Sequence, residues 1–278
     1  MQQFDIRTED DCLLRATLFS AEDSNKLVLI IPASATPQRY YRRFASFLQQ
    51  QGYSALTFDY RGIGESLNGD VRMSRACMSD WGKYDLRAVI DWTSKKYSHI
   101  YAVGHSVAGQ ILPLSGLDDK LEAVFLVASQ NTSMYYWRGY PKWLILLFWY
   151  LVIPLMLRIY GYLPGWAVGG KTPLPANAAK EWKAWGTHRD GMVYGLKERE
   201  QAFANVSSRM HFVAVADDKV FAPEMAVRKL MAQYSNAESS FQLLRPTDFD
   251  LRKIGHFGFF RKQNKILWQQ VFAFLRNP

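Results

Sequence analysis

The chain has 278 residues, a formal net charge of +9 and a hydrophobic share of 49%. That much apolar side chain excludes a disordered chain, and the length suits one large α/β core carrying an insertion. A basic balance admits nucleic acid, an anionic membrane or an acidic substrate, but the Lys and Arg residues are scattered along the sequence with no nucleic-acid motif beside them; a solvated basic surface and no nucleic-acid partner are expected.

Two hairpin strands are expected first, over 4–7 and 13–19, separated by Glu9-Asp10-Asp11. Leu27-Val28-Leu29-Ile30-Ile31 reads as a buried strand, followed by a helix from Pro37 to Gln51 that Gly52 closes. Further buried strands fall at 54–58, 100–103, 123–127, 211–216 and 241–244, with a helix at 80–97 before the strand 100–103. Each run is too short for a helix and too continuous for a sheet with one wet face. Buried parallel strands joined by helical crossovers account for them.

The alternation breaks between about 129 and 200, a stretch that holds six of the nine tryptophans: Trp137, Trp143, Trp149, Trp166, Trp182 and Trp185. It also holds a wholly apolar run of 15 residues from Trp143 to Leu157, with Pro154 inside and Arg158 after it. That run falls short of the roughly 20 residues a membrane span requires. The expectation is therefore a core over 1–128 and 201–278, with 129–200 as an inserted helical cap packed on the sheet. A segment lying on a membrane surface, giving weak association, is the alternative.

Cys12 and Cys77 make no disulfide framework and read as packing residues. The start, Met1-Gln2-Gln3-Phe4-Asp5, lacks the basic and apolar stretches of a signal peptide, so a cytoplasmic location is expected. The sequence shows neither a metal-ligand spacing nor a phosphate-binding loop. Neither metal nor cofactor is expected.

The chemistry concentrates where the strand 100–103 runs into Gly104-His105-Ser106-Val107-Ala108-Gly109. A serine at a tight strand-to-helix turn needs small residues two positions before and after it, here Gly104 and Ala108. Such a turn frees the Val107 amide to stabilise an oxyanion. The serine needs a base and the base an orienting acid, in the chain order serine, acid, histidine. Of the five histidines, only His256 lies late in the chain in a loop-like context, between Gly255 and Gly258. The acid is Asp217 or Asp218, at the carboxyl end of the strand 211–216. A second oxyanion amide belongs to the loop Pro32-Ala33-Ser34-Ala35-Thr36-Pro37, with Ser34 the first choice and Ala33 the next.

Asp59-Tyr60-Arg61-Gly62-Ile63-Gly64-Glu65-Ser66 resembles the Asp-x-Arg-Gly-x-Gly-x-Ser turn of lipase-like and esterase-like α/β hydrolases. With Gly104 to Gly109, Asp218 to Pro223 and Gly255-His256-Phe257, the likeness spans nearly the whole chain. It is similar to bacterial predicted α/β hydrolases near the serine aminopeptidase and monoacylglycerol-lipase-like branch. The resemblance implies the α/β-hydrolase fold, a mostly parallel central sheet flanked by helices. It also favours Asp218 as the acid, because the acid of related hydrolases commonly stands five residues before a proline, as Asp218 stands before Pro223. Ala108 departs from the usual glycine, and Pro32-Ala33 replaces the usual His-Gly pair. A cap rich in Trp, Tyr and Leu implies a small-molecule apolar ester as substrate, cleaved through an acyl-enzyme. An acyltransferase, or an aminopeptidase holding an amine with Glu181, Glu198 or Glu200, would use the same triad. The oligomeric state is not readable.

Overall fold

The computed structural model describes residues 1–193 and 197–276. Eight strands form one sheet: β1 (Gln2–Arg7), β2 (Leu13–Phe19), β3 (Lys26–Ile31), β4 (Ser54–Phe58), β5 (His99–His105), β6 (Ala123–Val127), β7 (Arg209–Val215) and β8 (Ser239–Leu244), in the spatial order β1-β2-β4-β3-β5-β6-β7-β8. β1 and β2 pair antiparallel, β2 runs antiparallel to β4, and every later pair is parallel. The apolar runs of β3 to β6 are buried on both faces, as helical crossovers require.

The strand order reverses between β3 and β5, because the chain leaves β3 to build β4 on one side and returns to lay β5 on the other. Ile31 stands opposite Gly104, His105 opposite Val127, Val127 opposite Val213, and Val215 opposite Leu244. The carboxyl ends of β3, β5, β6 and β7 therefore share one edge, where crevices form in open α/β sheets.

The Asp59 turn holds this edge in place. Asp59 accepts hydrogen bonds from the amides of Gln38 (2.6 Å) and Glu65 (2.9 Å), and a Cβ on Gly64 would fall 2.4 Å from its carboxylate. With φ of +54° as well, position 64 requires glycine. Arg61 joins Asp85 (2.6 Å), inside the helix over 78–94, to Asp10 (2.6 Å) in the β1–β2 turn. The motif is thus a structural clamp across three segments.

Between β6 and β7 lie the helices Tyr140–Tyr160, Ala176–Thr187 and Lys197–Asn205. Tyr140–Tyr160 exceeds the apolar run that marked it in the sequence. It continues through Pro154 because a wider π turn at Phe148–Val152 precedes the ring, which has no amide to donate. Ile145, Trp149 and Ile153 are buried, whereas Trp143, Leu147, Leu151, Leu155 and Ile159 face solvent.

Cys12 and Cys77 are free and half-buried.

Candidate active site

Ser106 sits immediately after β5 with φ of +56°, a left-handed conformation that non-glycine residues adopt only when the surroundings impose it. Two features impose it. The Ser106 amide donates to Val127 O (3.0 Å), and Gly104 has no side chain where a Cβ would meet Leu126 at 2.6 Å and the Ala108 Cβ at 2.8 Å. The two small positions face each other. Alanine is tolerated at 108 because 104 is glycine.

His256 lies on the short helix Gly255–Gly258. Its Nδ1 is 2.6 Å from Asp218 Oδ2, and its Nε2 is 3.0 Å from Ser106 Oγ. All three residues are buried. An ionised Asp218 can only accept, so Nδ1 carries the proton and Nε2 is left to accept from the serine hydroxyl. That arrangement can move a proton from Ser106 to His256 during attack on a carbonyl, with Asp218 facing the positive charge that forms.

The two neighbouring carboxylates divide the labour. Asp218 binds the imidazole and is steadied by the Phe221 amide (3.1 Å), while Asp217 accepts from the amides of Ile254 (3.0 Å) and Gly255 (2.8 Å). Asp217 thereby pins the backbone that carries the histidine. Gly255, at φ of +60°, makes the turn.

The loop after β3 is held by two tyrosines. Tyr60 Oη donates to Pro32 O (3.0 Å), and Tyr41 Oη accepts the Ala33 amide (2.8 Å). The Ala33 amide is therefore occupied. Among the described residues, no acceptor takes the amide of Ser34 or of Val107, and these two remain available on adjacent loops to an oxyanion.

His105 has a role that the sequence did not disclose. Tyr41 Oη, having accepted from Ala33, donates to His105 Nδ1 (2.8 Å), so His105 Nε2–H donates to His256 O (2.9 Å). One buried relay thus ties the loop after β3 to the backbone of His256 through the residue next to the serine. Burial, with the nearby His256 adding to it, holds the His105 imidazole well below its ordinary 6.5. The folded protein keeps this ring neutral, whereas the unfolded chain takes up a proton below about 6.5, so the stability it contributes is present above that pH and is lost as pH falls through it. His105→Asn is expected to flatten the acid side of a thermal-midpoint profile. It should also lower kcat by about 10²-fold, because the ring of His256 loses its backbone tether. An unchanged profile and rate would show that the relay positions nothing.

His99 and His211 bond Glu122 (2.6 Å) and Ser240 (2.8 Å), away from the serine. Among the described residues no group of His, Cys, Asp or Glu converges to hold a metal ion.

The segment after Tyr160 returns over the site. Thr172 N donates to Ala35 O (3.4 Å), a Cβ on Gly170 would fall 2.4 Å from Ala35 O, and one on Gly169 would lie 3.1 Å from the Phe257 ring. Beside it a cavity of about 340 Å³ is lined by Thr36, Tyr40 and Phe257 together with Arg39, Arg43, Lys171 and Arg261. Basic residues scattered in the sequence meet here.

A family model described as the alpha/beta hydrolase family matches residues 28–261. Solved structures with the same fold include Est1E from Butyrivibrio proteoclasticus (17% identity, TM-score 0.63, covering 99% of this chain and 98% of that one). The Pyrococcus furiosus esterase PF2001 (15%, TM-score 0.63, 99% and 89%) and the hydrolase GrgF from Penicillium sp. sh18 (18%, TM-score 0.62, 99% and 98%) are similar over comparable lengths. No curated protein sequence matches the chain. The family match, a mostly parallel sheet with antiparallel β2, and a serine turn at the end of β5 agree: this chain belongs to the alpha/beta hydrolase family.

Proposed function

We propose that the enzyme is a serine esterase with lipase-like preference for apolar acyl esters. Ser106 attacks the ester carbonyl while His256 takes its proton. The amides of Ser34 and Val107 hold the oxyanion, and collapse releases the alcohol with the proton from His256. Water, activated by the same histidine, then frees the acid from Ser106. The observation that carries the reading is the unbroken hydrogen-bonded series from Ser106 Oγ through His256 to Asp218, in a turn whose backbone forces the serine into the left-handed region. Apolar preference is supported by the aromatic and aliphatic side chains of 129–200, the segment read as a cap over the sheet edge.

Aminopeptidase chemistry fits these residues poorly. Glu181 already accepts from the Ser79 amide (2.9 Å) and faces Arg199 (3.6 Å), while Glu198 and Glu200 are exposed. The cations around the cavity beside Phe257 would repel a substrate ammonium. A panel of matched p-nitrophenyl esters, aminoacyl anilides and acyl thioesters tests the reading. Esters of medium acyl chains are expected to give the highest kcat/KM, and anilides none. Anilide cleavage at a comparable rate would replace esterase by peptidase, and transfer to an added alcohol or thiol in preference to water would make it an acyltransferase.

A further inference from the structure

The helix Tyr140–Tyr160 has no polar face. Its inner stripe is seated in protein: Trp149, 1% exposed, lies over Gly186 so closely that a Cβ there would fall 2.3 Å from the ring, and it packs edge-on to Trp182 at 5.2 Å. Its outer stripe is equally apolar. Trp143 (72% exposed), Leu147, Leu151, Leu155 and Ile159 (60% exposed) recur every four residues, a row about 24 Å long. Tyr140, Tyr150 and Tyr160 are exposed along the same helix, and Trp166 follows just beyond it. Single exposed apolar side chains are ordinary, but a continuous row on a helix that is apolar all round marks a surface that something covers.

The charge of the segment that carries the row points to the cover. From Glu122 to Glu181 the sequence contains no Asp or Glu between those two residues, while Arg138, Lys142, Arg158, Lys171 and Lys180 are all exposed. An apolar stripe with tyrosine and tryptophan at its margins, in a segment that carries exposed cations and no carboxylate of its own, is complementary to a bilayer bearing anionic headgroups. A second copy of the chain would instead bring the same cations against themselves, on a protein already at +9.

We propose that the outer face of Tyr140–Tyr160 is a membrane-binding surface, and that the helix lies in the headgroup–acyl boundary of an anionic bilayer. It does not cross. At 21 residues it is about 31 Å long, enough for a hydrocarbon core, but crossing would tear Ile145, Trp149 and Ile153 from their protein seat. Lying flat satisfies both stripes: the inner one stays on Gly186 and Trp182, and the outer one enters lipid.

Flotation of the purified full chain with vesicles tests this. Phosphatidylcholine vesicles containing phosphatidylglycerol are expected to carry the protein upward, and phosphatidylcholine alone much less. Alkaline carbonate should release it. The quadruple variant Trp143→Gln, Leu147→Gln, Leu151→Gln, Leu155→Gln should lose at least about tenfold in partitioning. Its circular dichroism and thermal midpoint should match the unaltered protein, because those side chains face solvent. Arg138→Gln with Lys142→Gln and Arg158→Gln should remove the preference for phosphatidylglycerol, about fivefold for each charge. Ser106→Ala should float like the unaltered protein, which separates this surface from the catalytic reading. No flotation, or flotation undiminished in the quadruple variant, overturns the proposal. So does retention through carbonate, which would mean a crossing helix, and so does a dimer that the quadruple variant dissolves without any vesicle binding.

Discussion

Ser106→Ala is expected to lower kcat/KM for short p-nitrophenyl esters by about 10⁶-fold, to a residue of activity that the two oxyanion amides sustain. The variant removes only the hydroxyl that His256 faces at 3.0 Å and keeps the Cβ that fits the turn, so the Val127 bond and the contacts of Gly104 with Leu126 persist. Its thermal midpoint should stay close to that of the parent, which makes the loss chemical rather than structural. Full activity in the folded variant would remove Ser106 from the reaction.

Asp218→Asn is expected to lower kcat by about 10⁴-fold. The amide oxygen can still accept from Phe221 N, so the loop stays in place, but the amide nitrogen then presents a hydrogen to His256 Nδ1. The imidazole answers by placing its own proton on Nε2, which can no longer accept from Ser106. Asp217→Ala separates orientation from charge. It frees the amides of Ile254 and Gly255, and its effect should be smaller, on the order of 10²-fold, because the acid at His256 remains. Equal losses in the two variants would mean that the neighbouring carboxylates share one role.

How much of this could be read in the sequence depends on how local each signal is. The strands were legible because β3 to β6 are buried on both faces and their apolar residues are consecutive. The serine turn was legible because Gly104 and Ala108 must be small for a reason that lies within five residues. Asp218 could not be separated from Asp217 by position alone, since adjacent side chains diverge only once the loop is folded. The His105 relay was invisible for another reason: its partners stand 64 and 151 residues away. The same holds for the cations beside Phe257, which come from Arg39, Arg43, Lys171 and Arg261. Tyr140–Tyr160 was legible as an apolar segment but not as two stripes with different surroundings. A continuous apolar run carries no record of which face is covered by protein, and the fold buries one stripe of this helix while it leaves the other exposed.

The proposed reaction requires an activated nucleophile at Ser106, and a fluorophosphonate probe followed by peptide mapping measures that directly. A single adduct is predicted on the peptide containing Ser106, absent from Ser106→Ala and strongly slowed in His256→Ala, with labelling suppressed by competing medium-chain esters. No labelling of the folded enzyme, or an adduct on a different serine, would contradict it.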